Sequence, residues 1–161
     1  MRQSATTSLA LSLAIGLALL FGSGLVNSES YAVSEAKKAS ASLADSISRH
    51  IAMLRSGSPQ EKAAAAYWLG RQHAAAATAV DPLVELLGDS SEINPTQYRG
   101  SKVLQKLTLG EEAAAALVNI GHPSIEPLIR VLKTSPFAEA RKNAAWALGA
   151  LHDTGATSNE I

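Results

Sequence analysis

The stretch "GEEAAAALVNIGHPSIEPLIRVLK", residues 110–133, decides the fold. Its first half places Ala113, Ala116, Leu117 and Ile120 at positions i, i+3, i+4 and i+7, the apolar stripe of one helix face. Its second half begins a new helix at Glu126-Pro127. Proline suits a helix start because its missing N–H would be unpaired there, and a carboxylate favours the positive helix end. The segment therefore reads as two short consecutive helices, a hairpin.

Both halves recur. "AAYWLGRQ" (65–72) and "AAWALGAL" (144–151) align with "AAAALVNI" (113–120) when Leu69, Leu117 and Leu148 are superposed. Ala65, Trp68, Leu69 and Gln72 then match the stripe, as do Ala144, Ala147, Leu148 and Leu151, with Gln72 the polar exception. Small alanines at the start of each stripe let a neighbouring helix approach closely, and alanine is the best helix former. "VDPLVELLGD" (80–89) repeats the second helix, with Asp81-Pro82 for Glu126-Pro127, and three extra residues precede it within "HAAAATAVDPL". Earlier, "LADSISRHIAMLRSGSP" (43–59) carries Leu43, Ile47, Ile51 and Leu54 at helical spacing and reads as an N-terminal cap.

The expected order is a cap helix, a hairpin over 60–88, a spacer, a hairpin over 111–133 and a lone final helix over 138–151. Leu69 and Leu117 lie 48 positions apart but Leu117 and Leu148 only 31, so about 17 extra residues fall in the first interval. They are "EINPTQYRGSKVLQKLTLG" (92–110), an insertion expected to be more mobile than the hairpins, and insertions of this kind often lie on the binding face. The last repeat is incomplete, so an apolar face of the final helix is expected to lack its second helix, with Trp146 and Leu151 on the uncovered side.

"KNAAWALGALHD", with Arg141 just before it, together with "VDPLVELLGD" and the opening stretch, resembles the HEAT-like repeats of the phycobilin-lyase type over most of 43–156. The resemblance implies an all-α fold, a short α-solenoid of helical hairpins, and protein binding as the shared property of such repeats. Some relatives assist bilin attachment, which leaves an accessory factor or enzyme of that class as an alternative. A truncated repeat protein without independent function is another.

The N-terminus is of a different kind. Arg2 precedes an uncharged apolar core, Leu9 to Phe21, and Ser30-Tyr31-Ala32 presents small residues at the two positions a signal peptidase reads. Residues 1–32 are expected to be a signal peptide, leaving 33–161 as the HEAT-like repeat domain, secreted or periplasmic. The alternative is an N-terminal membrane anchor, for which the uncharged run from Leu9 to Val26 is barely long enough.

Composition narrows the function. Of 161 residues, 14 are basic and 14 acidic, so long-range attraction to nucleic acid has little support, and membrane contact is expected only if the N-terminal segment is retained. The absence of cysteine rules out disulfides and thiolate chemistry. No pair among His50, His73, His122 and His152 has the i, i+4 spacing of a helical metal site. No phosphate loop, nucleophile elbow or converging catalytic set is present, so neither an enzymatic role nor a metal or other cofactor is expected. Glu111 and Glu112 read as first-turn carboxylates stabilising a helix start. Tyr67, Trp68 and Trp146 read as packing between alanine-rich helices.

What remains is a protein-binding scaffold. Its candidate residues are Glu85 and Arg130, equivalent positions on second helices, with Lys133 and Arg55 further along. Tyr98, Arg99, Lys102 and Lys106 of the insertion form a basic, partly aromatic group suited to an acidic partner or phosphate. An amphipathic helix with Val103, Leu104 and Leu107 packed inward is the alternative for that segment. Trp146 is the candidate for a partner, or a second copy of the chain, at the C-terminal edge.

Overall fold

The computed structural model describes the backbone over residues 25–100 and 106–153, with side chains from Tyr31 onward. The apolar core Leu9 to Phe21, the insertion residues Lys102, Val103 and Leu104, and the polar tail after Asp153 lie outside the described residues. The chain divides into two compact units between Ala44 and Asp45. The packing described below is that of the second unit.

Helix α1 (Leu25–Ser56) includes the cap helix read at 43–59 but begins far earlier, so the tripeptide Ser30-Tyr31-Ala32 falls within it. Among the described residues no helix is long and apolar enough to cross a membrane. From Asp45 onward α1 buries Ile47 and Leu54.

Helix α2 (Pro59–Gly70) starts at a capping box. The Ser58 hydroxyl accepts from the Glu61 N–H, and the Glu61 carboxylate accepts from the Ser58 N–H at 2.8 Å, with Pro59 in the first turn. Helix α5 (Leu109–Ile120) starts the same way, Thr108 accepting from the Glu111 N–H and Glu111 from the Thr108 N–H at 2.9 Å. Each box satisfies donors that the first turn would otherwise leave unpaired.

The hairpin turns differ. After α5, Gly121 takes φ 88 and ψ −140, a conformation that glycine tolerates best, and a 3-10 turn (His122–Ser124) leads into α6 (Ile125–Thr134). At the equivalent position after α2 stands His73 with φ 51, its ring Nδ1 donating to the Asn119 carbonyl at 3.0 Å. The extra residues there form a 3-10 stretch (His73–Ala79) before the short helix α3 (Val80–Glu85). Pro82 and Pro127 are the third residues of α3 and α6, where their missing N–H costs no hydrogen bond.

Helix α7 (Ala138–Asp153) completes the row. Helices α2, α5 and α7 pack side by side as first helices, and α3 and α6 pack on one another as second helices. The central α5 is the most buried, covering Leu109, Ala113, Ala116, Leu117 and Ile120. Its approach to α2 is close: a Cβ on Gly70 would stand 2.9 Å from the Ala116 Cα. The start of α5 is also tightly enclosed, since a Cβ on Gly110 would meet the Leu87 carbonyl, just after α3, at 2.6 Å and the side-chain Asn143 Nδ2 of α7 at 2.8 Å.

On the final helix, Ala144, Ala147 and Leu151 are buried and Leu148 is half-buried. Leu151 therefore corrects the expectation that it lies on an uncovered side. One turn-length from Ala147, it faces inward with the alanine stripe. The large exposed apolar side chains toward the C-terminus are Trp146 at 55%, Phe137 at 68% and Leu132 at 39%.

Within the insertion, the described residues on either side of 101–105 form short elements. A two-residue strand β1 (Glu92–Ile93) pairs antiparallel with β2 (Leu107–Thr108), and a four-residue helix α4 (Thr96–Arg99) follows β1. Ile93 and Pro95 are buried, and Leu107 is half-buried on a strand rather than on a helix face. The Gln60 side chain donates to the Asn94 carbonyl at 2.8 Å and accepts from the Asn94 N–H at 2.9 Å, which fastens the segment to α2.

Candidate functional site

Repeat register explains where the molecule is open. Superposing Leu69, Leu117 and Leu148 makes Ala64, Glu112 and Asn143 equivalent. On the second and third first helices this position carries a polar side chain that grips a neighbour. Asn143 Nδ2 donates to the Leu87 carbonyl at 2.8 Å. Glu112, 1% exposed, accepts from the Tyr98 hydroxyl at 2.9 Å and from Arg99 Nη2 at 2.5 Å. On α2 the position is an alanine, and Ala64 is part of the floor of a groove.

This groove, of about 660 Å³, lies where α1, α2 and α4 converge. The His50 ring stacks on Trp68 with centroids 3.9 Å apart and planes 6° from parallel, a contact worth about 0.5–1.5 kcal/mol beyond area burial. His50 Nδ1 donates to the Ser46 carbonyl at 2.8 Å, which fixes the ring orientation. Tyr67 meets Tyr98 at 5.5 Å in a tilted pair. Two guanidinium groups approach the Tyr67 ring, Arg71 at 5.9 Å and Arg99 at 5.4 Å. Met53, 37% exposed, and Arg71, also exposed, leave the groove open to solvent.

The Tyr98–Glu112–Arg99 contacts hold α4 in place. Burial first, and then the Glu112 charge, pushes the Tyr98 phenol above its ordinary value, so it stays protonated and donates. Burial opposes the charge on Arg99, but the hydrogen bond and charge of Glu112 outweigh it and raise its pKa. Glu111 and Glu112 both stand in the first turn of α5, as their sequence reading expects, but their side chains do different things. Glu111 closes the capping box, whereas Glu112, one residue on, points beneath the insertion.

A second groove, of about 460 Å³, lies between α5 and α7. It is lined by Arg99 and Leu107 from the insertion, Glu111 and Ala115 from α5, and Lys142, Asn143 and Trp146 from α7. Tyr67, Ala115 and Trp146 are equivalent in the repeat, so both grooves belong to the same face of the first helices.

The residues singled out from sequence are therefore dispersed. Tyr98 lines the aromatic groove, and Arg99 and Trp146 both line the second. Lys106 is exposed and pairs with Glu92 at 3.0 Å. Arg130 lies 3.7 Å from Asp81, an exposed pair joining α3 and α6, while Lys133 and Glu85 are exposed on those same helices. Lys102 lies outside the described residues.

His50, Met53, Arg71 and Gln72 are groove residues that sequence reasoning missed, and Tyr67 and Trp68 prove half-exposed groove walls as well as packing. The available signal was the aromatic pair itself, standing where the other first helices carry Ala115-Ala116 and Trp146-Ala147. Among the described residues no group of three or more histidines and acids gathers as a metal site would require.

Residues 111–134 match the family model of the PBS lyase HEAT-like repeat. They are α5, the 3-10 turn and α6, so the chain carries a HEAT-like repeat in its central hairpin. No curated protein and no solved structure matches the chain significantly.

Proposed function

We propose that this chain is a non-enzymatic protein-binding scaffold, a short α-solenoid that works outside the cytoplasm. The aromatic groove of Trp68, Tyr67 and Tyr98 over the Ala64 floor carries this reading. Aromatic side chains gathered in one open groove offer large, stiff contact area at low entropic cost, as binding surfaces do. Helical repeats of this kind commonly present such surfaces to other proteins.

Affinity purification of the full chain from the envelope fraction tests the reading. A protein co-purifying in stoichiometric amount, and lost when Ala64→Arg fills the groove, is the expected result. A bound small-molecule cofactor, or capture unchanged by Ala64→Arg, overturns it. Export rests on the sequence features of residues 1–32, and is checked by N-terminal sequencing of protein released by osmotic shock. The expected start is Val33, and an intact Met1 on membrane-retained protein would support the anchor instead.

A second reading, self-association through the C-terminal edge, is favoured by Trp146, 55% exposed in the second groove. Light scattering decides it. A dimer reduced to a monomer by Trp146→Glu supports the edge as an interface, and a monomer in both chains removes it.

A further inference from the structure

We propose that the aromatic groove binds an acidic, extended peptide segment, with a carboxylate at Arg71 and a flat side chain against Trp68. This deepens the scaffold reading and rests on it. The sign follows from the charge balance. Arg99 is already neutralised by buried Glu112, so Arg71 supplies the unbalanced charge beside the groove. No acid lines the groove, and among the described residues no carboxylate pairs with Arg71.

The position of Arg71 suits such a contact. It is the C-cap residue of α2, so its backbone is fixed by the helix while its side chain stays exposed with the guanidinium 5.9 Å from the Tyr67 ring centre. A guanidinium presents a planar fork that receives a carboxylate with two parallel hydrogen bonds. A cationic occupant is disfavoured, although aromatic walls bind cations elsewhere, because two guanidiniums already approach Tyr67.

The shape argues for a peptide. Small-molecule sites enclose most of their ligand, whereas here Met53 and Arg71 leave one side open. Extended, proline-bearing segments dock in open aromatic grooves at low entropic cost, because their backbone is already stiff. Ala64 presents only a methyl group to the groove, so the occupant can lie close against the helix.

The test uses the full chain carrying Trp146→Phe, which leaves Trp68 as the single tryptophan. The probes are acetylated, amidated octapeptides in which proline alternates with glutamate, with glutamine or with lysine. The glutamate peptide is expected to change Trp68 emission saturably, more weakly as salt is raised. Arg71→Gln should weaken it about tenfold, the scale of one charge-assisted contact. Equal affinity for the three peptides, no saturation by any, or an unchanged titration in Arg71→Gln overturns the proposal. A natural partner captured through the groove by a basic or neutral segment also overturns it and leaves the scaffold reading standing. The scaffold reading itself fails only if no partner depends on the groove.

Discussion

The two grooves are made by the same repeat geometry and differ in what a few positions supply. The aromatic groove has Tyr67 on its wall and Ala64 in its floor, while the second has Ala115 and Trp146 at the positions equivalent to Tyr67 and Asn143 at that of Ala64. Asn143 spends its side chain on the Leu87 carbonyl, and Glu111 and Lys142 bring charges of both signs. The aromatic groove carries the single unbalanced charge of Arg71. In a repeat protein the backbone thus sets where grooves form, and a few side chains per repeat set whether they are filled, neutral or charged. The consecutive residues Tyr98 and Arg99 serve both, one in each groove, which makes α4 their common wall.

Removing that common wall should have the largest effect. Arg99→Ala strands the Glu112 carboxylate, 1% exposed, with the Tyr98 hydroxyl as its remaining donor, and should cost about 3 kcal/mol in denaturant unfolding. By contrast the Glu139–Lys142 pair beside the second groove is exposed on both sides, and Lys142→Ala should leave the unfolding midpoint essentially unchanged. An Arg99→Ala loss as small as this would mean that the insertion is an appendage after all.

The tryptophans sharpen the contrast at a smaller scale. Trp68 is half-buried and stacked on His50, so Trp68→Ala should cost about 2 kcal/mol, roughly half the loss at a fully buried site. Trp146→Ala, at 55% exposure, should cost about 0.5 kcal/mol or less. Thermal unfolding of the two variants side by side checks the order, and equal losses would show that both grooves rest on their tryptophans alike.

The smallest expected effect concerns the helix that carries the aromatic wall. The Ser58 backbone N–H, and then its hydroxyl, hold the Glu61 carboxyl below its ordinary value of 4.5. A depressed folded value means that the contribution is present above the unfolded pKa and is lost as pH falls through the folded one. The stability difference between wild type and Glu61→Gln should therefore be visible at neutral pH and close below about pH 4.5. A difference independent of pH would show that the carboxylate charge is not what caps α2.

Much of this architecture was readable along the chain. The alanine–leucine stripes place all three first helices, and the matching Pro82 and Pro127 place the second helices within a few residues of their observed starts. The spacings Ser58 to Glu61 and Thr108 to Glu111 carry the capping signal. That signal also separates Glu111 from Glu112, which look alike as an adjacent acidic pair. The insertion was legible as an interruption but not as a structure, because its ladder spans two residues and its anchor is a carboxylate on another helix.

The sequence by itself determined the helices, their pairing into hairpins and the family of repeat, because these depend on spacings of three, four and seven residues and on capping chemistry within a single turn. Only the tertiary structure decided the burial of Glu112 under Tyr98 and Arg99, and the stacking of His50 on Trp68. The physical reason is distance along the chain. Asn143 and Leu87 are 56 positions apart, and His73 and Asn119 are 46. No local period encodes which side chains such long closures bring together, so a groove whose walls come from three separate helices becomes visible only when they pack.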